Sequence, residues 1–255
     1  MMGLELAMSK FIDKLKSVSA GGLPPLGFRA AGAKPRPKMM LVAHIAEPGT
    51  EPDFSGADAV LVSVPKAGAK SPKTLFKAAP HIPWGGWLKE VGRQEVQQLG
   101  ELGADFVVFP VASVPRAILE DEKLGKIIEV EPAFDASLLK AIDDLPLDAV
   151  IVAGEKPSFS WRELMLLRRG ANMLSKPLLV MISPDINAEE LQALCEAGAS
   201  GVVTTDNFEK LRRLINKLAP PKSGKRRRVE PLLPRLSSRR GTVAEEEEEE
   251  EEEDD

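Results

Sequence analysis

A short pattern recurs four times along this chain and constrains its fold more than any other feature. It reads "GADAVLVS" from Gly56, "GADFVVFP" from Gly103, "LDAVIVAG" from Leu147 and "GASGVVTT" from Gly198. In each copy an acid or a serine precedes a run of β-branched residues, and three copies begin with a Gly-Ala pair. The pattern is typical of a point where a helix ends, the chain turns and a buried strand begins.

Eight short β-rich runs alternate with longer runs of helical periodicity. The predicted strands are 38–45, 58–64, 82–88, 105–110, 126–131, 148–153, 177–183 and 200–205. The predicted helices between and after them are 93–102, 136–143, 161–172, 188–198 and 207–218. This order predicts an α/β fold, a closed (β/α)8 or TIM barrel, over residues 38–218. An open doubly wound sheet is the alternative, because the segment between the first two strands is rich in Pro and Gly.

The first 37 residues form a separate segment before the barrel. Apolar residues recur at helical spacing from Leu4 to Val18, with lysines on the other face, which predicts an amphipathic helix followed by a Gly/Pro-rich connector. We expect this helix to dock on the barrel, and the alternative is a helix that lies on a membrane. The chain starts at Met1 or at Met8.

The last segment, 219–255, has few apolar residues and two blocks of opposite charge. Residues 222–240 carry eight Lys or Arg against one acid, and residues 245–255 are eleven acids. This composition predicts a disordered tail, because little apolar surface is available to offset the entropy of ordering. The "KRRR" block at 225–228 resembles a nucleic-acid or targeting patch, and a charged solubilising tail is the alternative.

Cysteine usage and hydropathy indicate the compartment. Cys195 is the only cysteine, so the sequence offers neither a disulfide framework nor a Cys-rich metal site. Because apolar runs stay well short of the roughly 18 to 20 residues that a membrane span needs, we expect a cytoplasmic protein. No His/Asp/Glu spacing typical of zinc accompanies His44, and no metal is expected.

Residues 182–206, "ISPDINAEELQALCEAGASGVVTTD", resemble the last two βα units of the phosphate-binding TIM-barrel enzymes. That group includes indole-glycerol phosphate synthase, thiamine phosphate synthase, inosine monophosphate dehydrogenase and the flavin-dependent nitronate monooxygenases. The helix exit 197–201 is similar to theirs, whereas "SPDI" and "TTD" replace the two glycine turns that hold a phosphate in the group. The resemblance therefore implies the fold more than the activity.

Candidate site residues are the polar groups at the C-terminal ends of the predicted strands, where a barrel collects its reactive side chains. Strand five, "IIEVEP", places Glu129 and Glu131 on one face, and an inward orientation avoids burying them under helices. Solvated or salt-bridged acids are the alternative. The predicted catalytic residues are Glu131, His44, Lys66 and Lys156. The predicted ligand-binding residues are Gly85, Gly86, Trp87, Ser183, Thr204 and Thr205.

The stretch "IPWGGWL" suggests the kind of ligand. Two glycines between Trp84 and Trp87 let a ligand or a neighbouring backbone come close, and an indole offers a flat face to a ring or to a flavin such as FMN. The alternative is buried packing of both indoles.

Two functions follow from these features. The first is a barrel that binds a small anionic or flavin-type ligand at its C-terminal mouth, with the reaction unspecified. The second is a non-catalytic barrel scaffold whose charged tail recruits a protein or nucleic-acid partner. Because the sequence carries neither a dinucleotide, a Walker nor a Gly-x-Ser-x-Gly motif, it does not decide whether the protein is an enzyme.

Overall fold

The computed structural model describes residues 9–20, 37–46, 54–64, 81–89, 92–112, 118, 123–132, 136–154 and 158–220. All of them belong to one compact unit, Met1–Lys222, and the second unit, Ser223–Asp255, lies outside the described residues. The predicted connector up to residue 36, Lys66, Lys156 and the tail beyond residue 220 also lie outside them.

Eight parallel strands follow one another around a closed barrel in chain order. They are β1 (Met40–Ile45), β2 (Ala59–Val64), β3 (Trp84–Leu88), β4 (Phe106–Pro110), β5 (Gly125–Val130), β6 (Ala149–Val152), β7 (Leu178–Met181) and β8 (Gly201–Thr204). The barrel closes because β1 pairs with β2 on one side and with β8 on the other. The predicted TIM barrel is confirmed, and the open doubly wound sheet is wrong.

The helices of the described residues surround this barrel or close it. They are α1 (Lys10–Ser19), α2 (Arg93–Glu101), α3 (Ala136–Asp144), α4 (Trp161–Met173), α5 (Ala188–Ala197) and α6 (Phe208–Lys217). The five helices predicted within the barrel are confirmed, each within one residue of its predicted ends. None of the helices described has both the length and the apolar character needed to cross a bilayer.

Side chains alternate between two apolar layers along every strand, as the period of two in a strand requires. One cluster of buried residues fills the lumen and includes Met40, Val42, Ile127 and Val203. The other cluster lies between the strands and the surrounding helices. It contains the alternate strand residues, such as Leu41, and the helix residues that pack on them. Those helix residues include Leu99, Leu139, Leu167, Leu191 and Leu211. A residue's parity on its strand therefore decides which layer it joins.

The repeated sequence pattern marks the start of every even-numbered strand. The residues directly before β2, β4, β6 and β8 are Asp58, Asp105, Asp148 and Ser200, in that order. The Asp58 carboxylate accepts a hydrogen bond from the backbone N–H of Leu41 at 2.8 Å, and Asp148 accepts one from that of Lys126 at 3.0 Å. These two acids each fasten their strand to the preceding one.

Helix α1 closes the N-terminal end of the barrel. The Asp105 carboxylate accepts hydrogen bonds from the Ser9 hydroxyl at 2.7 Å and from the backbone N–H groups of Lys10 and Phe11 at 2.9 Å each. Because Ser9 caps the helix, α1 begins at Lys10, later than the predicted start at Leu4, which lies outside the described residues.

The apolar face of α1 completes the lumen cluster. Phe11, Ile12 and Leu15 are at most 1% exposed, and the rings of Phe11 and Phe106 lie 4.6 Å apart. The Lys16 ammonium adds an ion pair with Asp148 at 2.8 Å. The predicted docking helix is therefore confirmed, and its apolar face is covered by the barrel rather than offered to a membrane.

Candidate functional site

Four side chains meet at the C-terminal end of the lumen, which we call the mouth. His44 on β1, Ser63 on β2 and Glu129 on β5 continue the inward-facing series of their strands, and Trp87 on β3 belongs to the lumen cluster. Parallel strands bring their C-terminal ends to one face, and this is where a (β/α)8 barrel carries its site. We refer to these four residues as the mouth cluster.

Trp87 joins the two halves of the mouth cluster. Its indole N–H donates a hydrogen bond of 2.6 Å to Oε2 of Glu129. Its ring lies 4.8 Å from the His44 ring, centroid to centroid, at an angle of 51°. His44 Nε2 in turn forms a hydrogen bond of 2.9 Å with the Ser63 hydroxyl. The four side chains therefore form one continuous chain of contacts across β2, β1, β3 and β5.

Burial favours the neutral form of the His44 imidazole. Burial lowers the pKa of His44 from its usual value of 6.5, because a charged ring loses hydration there. Its Nδ1 atom is buried and has no hydrogen-bond partner among the described residues. A neutral imidazole at pH 7 retains one nitrogen that can accept a proton, so His44 has the state that a general base requires.

Glu131 is placed differently from the expectation that both acids of strand five face the lumen. β5 ends at Val130, and the Glu131 side chain is exposed beyond it, next to Pro132. Because proline cannot donate to the sheet, the strand stops before the second acid. Glu129 contacts Trp87 of the lumen cluster, whereas Glu131 is exposed beyond the end of the strand, and the proline was the sequence signal that could have separated them.

The two threonines at the end of β8 differ, and the prediction for Thr204 needs a correction. Thr204 shares its parity with the outer-layer residue Val202, is 1% exposed and has an Oγ1 without a partner among the described residues. It therefore lies under the helices and not in the mouth. Thr205 has the lumen parity of Val203 and is exposed. A shift of one residue exchanges the two faces of a strand.

Gly85 and Gly86 serve close packing within the described part of the barrel. A Cβ atom on Gly85 would lie 2.4 Å from the Phe106 ring, and one on Gly86 would lie 2.7 Å from Leu99. Neighbouring side chains occupy the space that the prediction assigned to a ligand. We therefore do not retain either glycine in the candidate site.

Of the remaining predicted site residues, Ser183 lies at the rim of the mouth, and the two lysines are not among the described residues. Ser183 is half-buried just beyond β7, where its hydroxyl accepts a weak hydrogen bond of 3.4 Å from the N–H of Asp185. Lys66 and Lys156 lie outside the described residues. Within the residues described, no three His, Cys, Asp or Glu side chains are grouped as a metal site would require.

Trp87 and Trp84 have different environments. Trp87 is 9% exposed and contacts both His44 and Glu129, whereas Trp84 is half-buried against the outer layer. The predicted flat surface for a flavin ring is therefore largely covered at Trp87.

An apolar pocket opens near the mouth, between the ends of β6 and β7 and the first turns of α4. Its volume is only about 20 Å³, enough for roughly one water molecule. Its lining comprises Pro132, Val152, Gly154, Phe159, Glu163, Leu167, Val180 and Met181. Most of this lining, including Val152, Leu167 and Val180, belongs to the outer layer, so the pocket lies between the barrel wall and α4 and not in the lumen.

The closed parallel barrel with a polar C-terminal mouth places the chain in the class of (β/α)8 TIM-barrel proteins. No protein-family model matches the sequence, and no curated protein does. The architecture is nevertheless similar to that of solved structures.

Three of these solved structures illustrate the similarity. A mutant tryptophan synthase α-subunit from Pyrococcus furiosus has a TM-score of 0.54 at 15% identity, over 70% of this chain and 97% of that chain. N-(5'-phosphoribosyl)anthranilate isomerase from the same organism has a TM-score of 0.53 at 18% identity, over 71% of this chain and 100% of that chain. Tryptophan synthase from M. tuberculosis has a TM-score of 0.54 at 13% identity, over 82% of this chain and 96% of that chain. At these identities the likeness shows the predicted TIM-barrel fold alone.

Proposed function

We propose that the protein binds a small organic molecule at the C-terminal mouth of the barrel, with Glu129 and His44 as its polar contacts. The observation that carries this proposal is the mouth cluster itself. The Glu129 carboxylate and the His44 imidazole both contact the Trp87 indole, at the end of a lumen that is otherwise apolar. Polar groups in such a setting cost desolvation free energy, which contacts with a ligand can offset.

The chemistry of the mouth cluster determines which kind of ligand group can lie next to it. Oε2 of Glu129 is engaged by Trp87, and the carboxylate attracts hydrogen-bond donors rather than anions. We therefore propose that the ligand presents a donor group to Glu129. Its anionic group, as in a phosphate ester or in FMN, would lie away from this carboxylate, towards the hydroxyls of Ser183 and Thr205.

The apolar pocket between β6, β7 and α4 is too small to hold the rest of such a ligand, and Val152, Leu167 and Val180 in its lining belong to the outer layer. The proposal therefore rests on the mouth cluster alone. His44, kept neutral by burial, could accept a proton from the bound molecule, which makes proton abstraction the reaction we favour. The fold likeness to tryptophan synthase α-subunits and to phosphoribosylanthranilate isomerase assigns no substrate.

That the protein works in the cytoplasm stays a separate proposal that rests on the sequence, and Cys195 takes no part in the proposed site. Burial is the main cause that raises the pKa of the Cys195 thiol, and the nearby Glu196 raises it further against the opposing effect of Lys38. A buried thiol of this kind is unreactive and has no role in the proposed site. Recruitment of a protein or nucleic-acid partner by the charged segment 222–255 is kept as a separate proposal.

The two acids of "IIEVEP" provide the test of the ligand site. Native mass spectrometry and the absorbance spectrum of the purified full chain would identify any retained molecule. A thermal-shift series with FMN, ribose 5-phosphate and indole would supply probes if none is retained. We expect Glu129→Gln to weaken binding by about tenfold or more, since a charge-assisted hydrogen bond contributes on the order of 1.5 to 3 kcal/mol.

Glu131→Gln is the matched control for this experiment, because it removes the same charge from an exposed position two residues away. Binding by this variant should equal that of the parent. Equal binding by Glu129→Gln and the parent, or the absence of binding to every probe, would remove the ligand site and favour the scaffold function.

A further inference from the structure

Helix α4 carries an unusual row of exposed side chains along its outer surface. Trp161, Met165, Arg169 and Met173 follow one another at intervals of four residues, which places them on a single ridge of the helix. Trp161 is 81% exposed, Met165 63% and Met173 40%. These are three of the six large hydrophobic residues that are exposed in the described residues, so apolar exposure is concentrated on this helix.

The ridge is not needed to hold α4 on the barrel. The opposite face of the helix buries Leu167 and Gly170. Ser160 and Glu163 form a reciprocal capping box at its N-terminus, and the Arg168 guanidinium donates to the Glu196 backbone carbonyl at 2.5 Å. Because α4 is fixed by these contacts, the apolar ridge has no role in the fold that would explain it.

The charged side chains of α4 that lie beside the ridge are basic. Arg162, Arg168 and Arg169 are exposed on the same helix. Glu163 is its only acid, and it is engaged in the capping box with Ser160. The outer surface of α4 therefore combines Trp and Met side chains with three guanidinium groups. Trp and Arg are the residue types most enriched among those that dominate protein interfaces.

We propose that this ridge docks an acidic amphipathic helix of another protein. A partner helix with apolar residues at i and i+4 would pack against Trp161 and Met165. Its flanking Asp or Glu residues would pair with Arg162 and Arg169, and such complementarity both accelerates association and excludes basic partners. The ridge extends over the 13 residues of α4, about 20 Å, which matches a short helix.

A second copy of this chain does not fit the same ridge as a symmetric partner. A two-fold contact would place the ridge against itself and would bring the three arginines of each copy together. Like charges brought together at an interface repel one another, so the ridge selects a different and acidic partner.

The test is selection from a displayed library of random peptides about 16 residues long, with the full chain as bait. We expect the enriched sequences to be acidic, with apolar residues at i and i+4. Binding of the synthesised consensus peptide is then measured by calorimetry. Trp161→Ala and Arg169→Glu should each raise its Kd by about tenfold or more, as residues that dominate an interface do.

Leu138→Ala is the matched control, because Leu138 is also 40% exposed but lies on α3. This variant should bind the consensus peptide as the parent does. Enrichment of basic or neutral peptides, a failure to enrich any sequence, or equal affinity of Trp161→Ala and the parent would overturn the proposal. Trp161-dependent binding of phosphatidylserine vesicles or of an oligothymidylate in place of the peptide would also overturn it.

Discussion

At the scale of single residues, His44 shows how the barrel changes the chemistry of a side chain. Its ring packs on Trp87, shares a hydrogen bond with Ser63 and loses hydration. Burial lowers the pKa of His44, so the folded state releases a proton that the unfolded chain would bind. This difference links the protonation of His44 to the stability of the barrel.

The sign of that linkage gives a prediction. Because the pKa is depressed on folding, the contribution of His44 to stability is present above its unfolded value of 6.5 and decreases as the pH falls below it. Between about pH 7.5 and about pH 5.5, the melting temperature of the parent should decrease more than that of His44→Asn. Equal decreases would contradict the prediction.

NMR titration provides a direct measurement of the same effect. The chain has two histidines, and His81 is exposed. A His81→Gln variant leaves His44 as the only imidazole, and its titration midpoint should lie below 6.5. A midpoint at or above 6.5 would show that the ring is not desolvated.

At the scale of secondary structure, two left-handed glycines occupy equivalent positions in the repeated pattern but have different surroundings. Gly103 follows α2 with φ +78°, and a Cβ atom there would meet no atom within 4 Å. Gly198 ends α5 with φ +104°, and a Cβ atom there would lie 2.5 Å from that of Ala171 on α4. Both need the backbone freedom of glycine, but only Gly198 also permits two helices to come close.

The two substitutions to alanine should therefore differ in cost. Gly103→Ala should lose about 1 to 2 kcal/mol from left-handed strain alone. Gly198→Ala adds the contact with Ala171, and overpacking costs about a further 1 to 3 kcal/mol. Chemical denaturation of both variants measures the free energy of unfolding. Equal losses would mean that α4 and α5 separate without cost.

At the scale of the whole molecule, α1 closes the base of the barrel, and the candidate site lies at the opposite end. Phe11, Ile12 and Leu15 of α1 fill the N-terminal end of the lumen, while Glu129 and His44 remain at the other end. The stability of the barrel and its candidate chemistry therefore lie at opposite ends, which lets mouth residues vary with little effect on the core.

Truncation tests where the stable unit ends. Ala219 still belongs to the barrel, since its N–H donates to Oε1 of Gln192 at 2.9 Å, so the cut is placed after Pro220. The removed residues, 221–255, have few apolar side chains to bury. The melting temperature of the truncated chain should match that of the full chain within about 5 °C, which corresponds to roughly 1 to 2 kcal/mol at this size. A larger decrease would show that residues beyond 220 stabilise the barrel.

The sequence by itself determined the fold because its signals are local. A run such as "DAVLVS" specifies a buried strand wherever it lies, and eight such runs separated by helices leave few topologies. The docking of α1 was also predictable from the spacing of Phe11, Ile12 and Leu15, although its site at the base of the barrel was not.

Only the tertiary structure decided which polar residues meet. Glu129 and Glu131 share a strand pattern, yet the sheet ends between them, and Thr204 and Thr205 are adjacent residues on opposite faces. The contacts of Trp87 with His44 and Glu129 join three strands that are far apart in sequence. Such contacts depend on where each strand ends and on the register of its neighbours, and these are set by the closure of the whole barrel.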